Sequence, residues 1–228
     1  MFHSGICRGD KVNNLDDLFT DLEEYRTPQE MKLYFEKKKQ IINNNEKYIS
    51  IARLKTGKVK KFIEEFYPLY LFSQSRFVDN YAKCKIILGN QGYDASIVQK
   101  DDTESFIELT SYIDGKWEYQ DAKRLNSRGY GDIRFGDYKN LNARGNDYLK
   151  DVLKNIKKKS LKDYSGISLL FAVDTFDYFE VYDHSSKPFI KELIKEIKSF
   201  KFKADKMYLM VINNQNASQI DQNIYPIS

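Results

Sequence analysis

Residues 167–173 read ISLLFAV, an almost unbroken apolar run. Such a run lacks the in–out alternation of a half-exposed strand and marks one buried on both faces. A second run, KMYLMVI at 206–212, has the same character. Between them, at 188–200, Phe189, Ile190, Leu193, Ile194 and Ile197 recur at helical spacing. Leu149, Val152, Leu153, Ile156 and Leu161 do the same over 146–164, just before the first run. Strands separated by a helix pair in parallel through a crossover rather than as a hairpin. The second half of the chain is therefore an α/β unit, with helices on the faces of its sheet.

Upstream, residues 84–115 predict three more strands, at 85–88, 93–98 and 105–110. They are joined by the turn Gly89-Asn90-Gln91-Gly92 and by a polar turn at 100–104. Short connections predict an antiparallel meander, so the complete sheet is mixed. Alternation puts Tyr93, Ala95 and Ile97 on one face of the middle strand and Asp94, Ser96 and Val98 on the other. In the third strand Phe106, Glu108 and Thr110 oppose Ile107 and Leu109. Asp94 and Glu108 thus lie in strands that are otherwise to be buried. An unpaired buried carboxylate costs several kcal/mol, so each needs a partner. Two carboxylates on neighbouring strands often share a divalent cation.

Before these strands the pattern is helical. Leu15, Leu18, Phe19 and Leu22 recur behind Asn14, and Thr27-Pro28-Gln29-Glu30 is a capping box with proline at the first helical position. A short helix follows around Tyr48, Ile49 and Ala52, ended by Gly57. Residues 58–77 form a stronger helix carrying Glu64 and Glu65, with Pro68 expected to kink it. The organisation expected is a helical extension over 1–57 and an α/β domain over 58–228. A segment rich in Gly, Asp and Arg spans 114–146, part of it helical at 116–126. A polar tail is expected from 213 onward.

Among 228 residues, 41% are hydrophobic and 31% charged, enough for a real core. The net charge of +4 tolerates a polyanion partner without requiring one. Two histidines, His3 and His184, leave little room for histidine-based zinc sites or Ser-His-Asp triads. Cys7 and Cys84 have no motif spacing, and Cys84 opens an apolar strand, where it reads as a core residue rather than the partner of His184. No apolar stretch approaches the ~20 residues of a membrane span. The first residues carry no secretory h-region, so a cytoplasmic location is expected. Hydrolytic chemistry here would fall to carboxylates and a metal. Lys154, Lys157, Lys158, Lys159 and Lys162 crowd the end of the 146–164 helix, where cations suit the helix dipole.

The order of elements, with Asp94 on the second strand and Glu108 on the third, resembles the core of the PD-(D/E)xK nuclease superfamily, the restriction-endonuclease-like fold. The likeness covers roughly 58–173. It implies a mixed sheet sandwiched by helices and a Mg2+- or Mn2+-dependent endonuclease acting on DNA rather than RNA, in restriction, phage defence or repair. A homodimer would suit cleavage of both strands. It also implies Asp94 and Glu108 as metal ligands, Glu65 (or Glu64) as an auxiliary acid, and the Leu109 carbonyl facing the metal. The family places a lysine two residues after the Glu, where this chain has Thr110. A hydroxyl can hold a water but brings no positive charge. The cation would then come from the following helix, with Lys154 the leading candidate beside Lys150, Lys157 and Lys158. Two other readings stand beside this one. In the first, the same fold binds nucleic acid without cleaving it, through the lysine helix and Arg124, Arg128, Arg134 and Arg144. In the second, Asp94 and Glu108 simply pair with cations across the sheet of an interaction module.

Overall fold

The computed structural model describes residues 15–111, 115–131, 138–174, 187–212 and 217–227. Six strands form one mixed sheet, with a helical layer on each face. The first strands, β1 (Lys83–Ile86), β2 (Ala95–Val98) and β3 (Glu104–Ser111), make the expected antiparallel meander. β4 (Asp163–Tyr164) is a short strand outside it. β5 (Ile167–Val173) then pairs with β3 in parallel, and β7 (Met207–Val211) pairs with β5 in parallel. With β8 (Ile224–Pro226) at its far edge, the sheet order is β1-β2-β3-β5-β7-β8. β4 and β6 (Lys203–Ala204) form a separate parallel pair.

One face carries the N-terminal helices. A 3-10 turn at Leu15–Phe19 precedes α1 (Pro28–Asn43) and α2 (Glu46–Arg53). The box that starts α1 is present: the Thr27 hydroxyl accepts from the Glu30 N–H at 3.3 Å, and Glu30 accepts from the Thr27 N–H at 2.8 Å. A continuous helical rod then runs from α3 (Gly57–Lys61) through a π-helical turn (Phe62–Phe66) into α4 (Tyr67–Ser73). Pro68 cannot donate to the Glu64 carbonyl, and its ring would crowd that group in a regular helix. The wider turn, in which the Tyr67 N–H bonds the Phe62 carbonyl, is the local solution. Gly57, expected to end the helix at 48–54, instead begins α3. Its φ of 56° and a Cβ position 2.3 Å from an Asp16 carboxylate oxygen both favour glycine there.

Phe19, Phe62, Phe66 and Met31 from these helices share a single core with Ile86, Ala95, Ile97 and Ile107 of the sheet. The extension thus packs directly on the α/β unit. Arg26 bonds Cys84 in both directions, at 2.9 and 2.8 Å, and covers part of the exposed edge of β1. Cys84 is fully buried, which pushes its thiol up to about 12 and leaves it a core residue. Cys7, His3 and His184 lie outside the described residues.

The opposite face carries α6 (Tyr138–Ser160) and α7 (Lys187–Ser199), packed on Leu169, Phe171, Leu209 and Val211. The helix expected at 146–164 starts earlier and stops at Ser160, where the chain turns into β4. α5 (Gly115–Arg128) realises the helix expected at 116–126 and lies against α2, with the Asn126 amide donating to the Ser50 carbonyl at 2.6 Å. The expected tail is structured. After a 3-10 turn at Ala217–Asn223, β8 (Ile224–Pro226) adds an antiparallel edge strand to β7, burying Ile220, Ile224 and Ile227. Three isolated isoleucines among polar residues give no periodicity to read. Pro226 is tolerated because an edge strand need not donate outward. Among the described residues no helix is long and apolar enough to cross a membrane.

Two consequences are measurable. Phe171 is fully buried on the central strand β5. Phe171→Ala should cost about 3–5 kcal/mol in denaturant unfolding. Asp21 accepts hydrogen bonds from Tyr34 at 2.7 Å and Lys38 at 3.2 Å. Burial disfavours its charge, but those bonds and the Lys38 charge outweigh it and hold the carboxyl below its usual range. A depressed folded-state pKa stabilises above the unfolded pKa and is lost as pH falls through the folded one. Asp21→Asn should therefore lower the melting temperature at pH 7, with the difference from wild type shrinking as pH drops below ~4.

Candidate functional site

Asp94 lies one residue before β2, just outside the Ala95–Ile107 pair that ends the β2–β3 ladder. The Asp94 N–H bonds the Ile107 carbonyl at 2.9 Å, and its carboxylate accepts from the Leu109 N–H at 2.9 Å. The carboxylate thus stands where a strand backbone would otherwise continue. Successive residues of a strand turn their polar groups to alternate sides. Leu109 therefore directs its carbonyl to the same side as its N–H, toward Asp94. Glu108 and Thr110 pair in register with Leu169 and Phe171 and share their face, the one covered by α6 and α7.

Charge converges on this point from three elements. Lys159, near the end of α6, makes a hydrogen-bonded ion pair with Glu108. Tyr164, buried on β4, lies beside the same ammonium, its ring centroid 6.0 Å from Nζ. From the other side Glu65, on the π turn, is paired with Lys61 one turn back on the rod. The second oxygen of Glu65 is buried and has no hydrogen-bond partner among the described residues. The same holds for the hydroxyls of Thr110 and Ser111. Orphaned buried acceptors are uncommon and call for an explanation.

Electrostatics make these groups one cluster. Burial pushes the Glu65 carboxyl up, and the charge of Asp94 adds to it against the opposing Lys61 hydrogen bond. Glu108 is raised likewise, by burial first, with Lys159 restraining the shift and Asp94 reinforcing it. Burial works against the Lys159 ammonium, but the hydrogen bond and charge of Glu108 more than offset it and raise its pKa. Carboxylates that press on one another in this way create a local demand for cations.

Asp94, Glu108, Glu65, Leu109 and Thr110 are therefore brought to one locality. Lys154 is not: it is exposed on α6, and the amine that reaches Glu108 belongs to Lys159. The sequence names Lys159 only within a lysine cluster, because the exact end of α6 decides which lysine faces the sheet. Lys61 could have been flagged by its i,i+4 spacing to Glu65. Tyr164 follows from β4, a two-residue strand without a sequence signature. Glu64 pairs outward with Lys60 at 3.7 Å. Arg134 and the Arg144 side chain lie outside the described residues.

Whether these groups suit a divalent cation can be judged from their chemistry. Among the described residues no three His, Cys, Asp or Glu side chains gather closely enough to hold a metal by themselves. The set on offer is two carboxylates, Asp94 and Glu108, with the Leu109 carbonyl on the Asp94 side. All are hard oxygen donors. That set fits Mg2+ or Mn2+, which take one or two protein carboxylates and fill the rest of the shell with water and substrate oxygens.

No protein-family model matches the chain, and no curated protein matches it either. Among solved structures, the Pyrococcus furiosus SfsA in complex with Ca2+ aligns at 17% identity over 76% of this chain, with a TM-score of 0.19. The chain spans 62% of the length of that structure, and superposition at this level carries no argument about the site.

The Lys159–Glu108 pair can be isolated by a double-mutant cycle. Lys159→Met should destabilise by about 1–3 kcal/mol in denaturant unfolding, since it strands a mostly buried carboxylate. Adding Glu108→Gln should recover part of that loss.

Proposed function

We propose that the protein is a metal-dependent nuclease that hydrolyses phosphodiester bonds in DNA, built on a restriction-endonuclease-like core. The observation that carries this reading is the Asp94 carboxylate, fixed by the Leu109 N–H next in the chain to Glu108 and close enough to press on the Glu108 charge. Asp94, Glu108 and the Leu109 carbonyl would hold Mg2+ or Mn2+, with Glu65 as the auxiliary acid. When bound, such an ion polarises a phosphoryl oxygen and makes a bound water acidic. The residues of the chain supply the rest. The Leu109 N–H keeps the Asp94 carboxylate from rotating away. Lys159 places a positive charge on the face where Glu108 and Thr110 lie, in the role that a lysine at position 110 would have filled. The Thr110 hydroxyl, without a partner among the described residues, can hold a water there.

A second reading has its own support. Glu108 and Glu65 each already carry a lysine, so the cluster is in part self-compensated. On that basis the fold would be a non-catalytic module that binds nucleic acid or a protein partner without cleaving.

The two readings separate in a plasmid assay. With Mg2+ or Mn2+ the wild type should nick supercoiled DNA. EDTA should abolish nicking, and Asp94→Asn and Glu108→Gln should each lower the rate by at least about 100-fold, the scale of losing a group that supports the transition state. Equal residual activity in the wild type and the double variant would refute the nuclease. Salt-sensitive DNA binding without cleavage would leave the second reading.

A further inference from the structure

We propose that Tyr93 and Phe106 form a stacking platform for one unpaired nucleobase of the strand whose phosphate lies at Asp94 and Glu108. The protein then acts on single-stranded or frayed DNA in preference to closed duplex. The proposal rests on the nuclease reading and names the substrate class for it.

The backbone shows how the pair arises. Alternation along the strand predicts Tyr93 on the side of Ala95 and Ile97, under the N-terminal helices. The structure turns it the other way. Ile107 is in register with Ala95, yet its carbonyl also accepts from the Asp94 N–H at 2.9 Å, so two residues of one strand oppose one of the other. Such a bulge breaks the alternation and re-aims the side chains beside it. The Tyr93 ring lies over Phe106, with centroids 4.3 Å apart and planes inclined by 30°. Phe106 shares its face of β3 with Glu108 and Thr110, and two residues along a strand span about 7 Å. A base on the platform is therefore within a nucleotide's reach of the two carboxylates.

Packing does not account for the pair. Ala95 and Ile107 belong to the core under the N-terminal helices, and Leu169 and Phe171 to the one under α6 and α7. Tyr93 and Phe106 belong to neither, and both stay partly exposed. Two half-buried rings offer far less than the ~800 Å2 a stable protein partner covers on each side. They do match the π-face that every base presents. Lysines stand on both flanks for the phosphates. Lys85 is in the Phe106 row, through the Lys85–Ser96 and Ser96–Phe106 pairings, and Lys159 and Lys162 both act on Glu108. Glu104 stands beside the pair and accepts from the hydroxyls of Ser96 and, at 3.4 Å, Tyr25. With Asp94, Glu104 and Glu108 set against those lysines, charge alone does not define the ligand. The aromatic face does.

Fluorescence anisotropy at low salt separates bases from phosphates. The labelled probes are a short oligothymidine, an abasic deoxyribose-phosphate chain of the same length, and a blunt duplex. Each is measured in EDTA and again in Ca2+, which takes the same kind of oxygen ligands as Mg2+. The wild type should bind the oligothymidine at least about five-fold tighter than the abasic chain, the scale of one stacked base. It should also bind the oligothymidine more tightly than the duplex. Tyr93→Leu should lose the preference for bases while keeping its affinity for the abasic chain, which also reports that the variant is folded. Tyr93→Phe should keep the preference. Equal binding of oligothymidine and abasic chain by the wild type, a comparison that needs no variant, would overturn the platform and leave the nuclease reading standing. So would a preference that survives in Tyr93→Leu. A wild type that binds none of the probes in either condition would overturn the nuclease reading together with it.

Discussion

The parallel pairing of β3 with β5 is the contact on which the rest of the molecule depends. Up to β3 the sheet is an antiparallel meander made by short turns; from β3 onward it grows by parallel crossovers through helices. One strand is therefore the edge of one motif and the start of another. Its Ile107 and Leu109 face the core of the N-terminal helices, while Glu108 and Thr110 face the side covered by α6. Because β2 begins its regular pairing only at Ala95, the Asp94 carboxylate can take the Leu109 N–H, and the Leu109 carbonyl is left on the same side. Polar groups collect where the strand ladder gives out.

Burial then decides the electrostatics. Glu65 and Glu108 sit where desolvation and the neighbouring Asp94 charge both disfavour their own, and two lysines from different layers answer them. Each lysine satisfies one oxygen of its carboxylate, and on Glu65 the other is left bare. Such an arrangement stabilises the fold less than an apolar replacement of similar volume could.

Much of this was legible in the sequence for definite reasons. ISLLFAV and KMYLMVI leave no polar face, so they could only be interior strands, and the helices between them made those strands parallel. Thr27-Pro28-Gln29-Glu30 fixed the start of α1 by side-chain chemistry alone. Alternation around Asp94 and Glu108 gave each a face within its own strand, but not how the two strands align. Other features had no local signal. β8 buries three isoleucines that no period connects, and β4 is two residues long. Which lysine reaches Glu108 depends on where α6 ends, because a difference of a few residues rotates a helical side chain to another face. Lys159 rather than Lys154 is a consequence of that rotation. The π turn beneath Glu65 follows from Pro68, but the proline alone suggests a kink and does not say how the helix absorbs it.

The central claim is that Asp94 and Glu108 hold one divalent cation between them. A crystal soaked in Mn2+ tests it most directly, through anomalous scattering at the metal's absorption edge. The account predicts a single strong peak within bonding distance of both carboxylates, with the Leu109 carbonyl in its shell. A map without such a peak, in which both lysines still hold their carboxylates at saturating Mn2+, would contradict it.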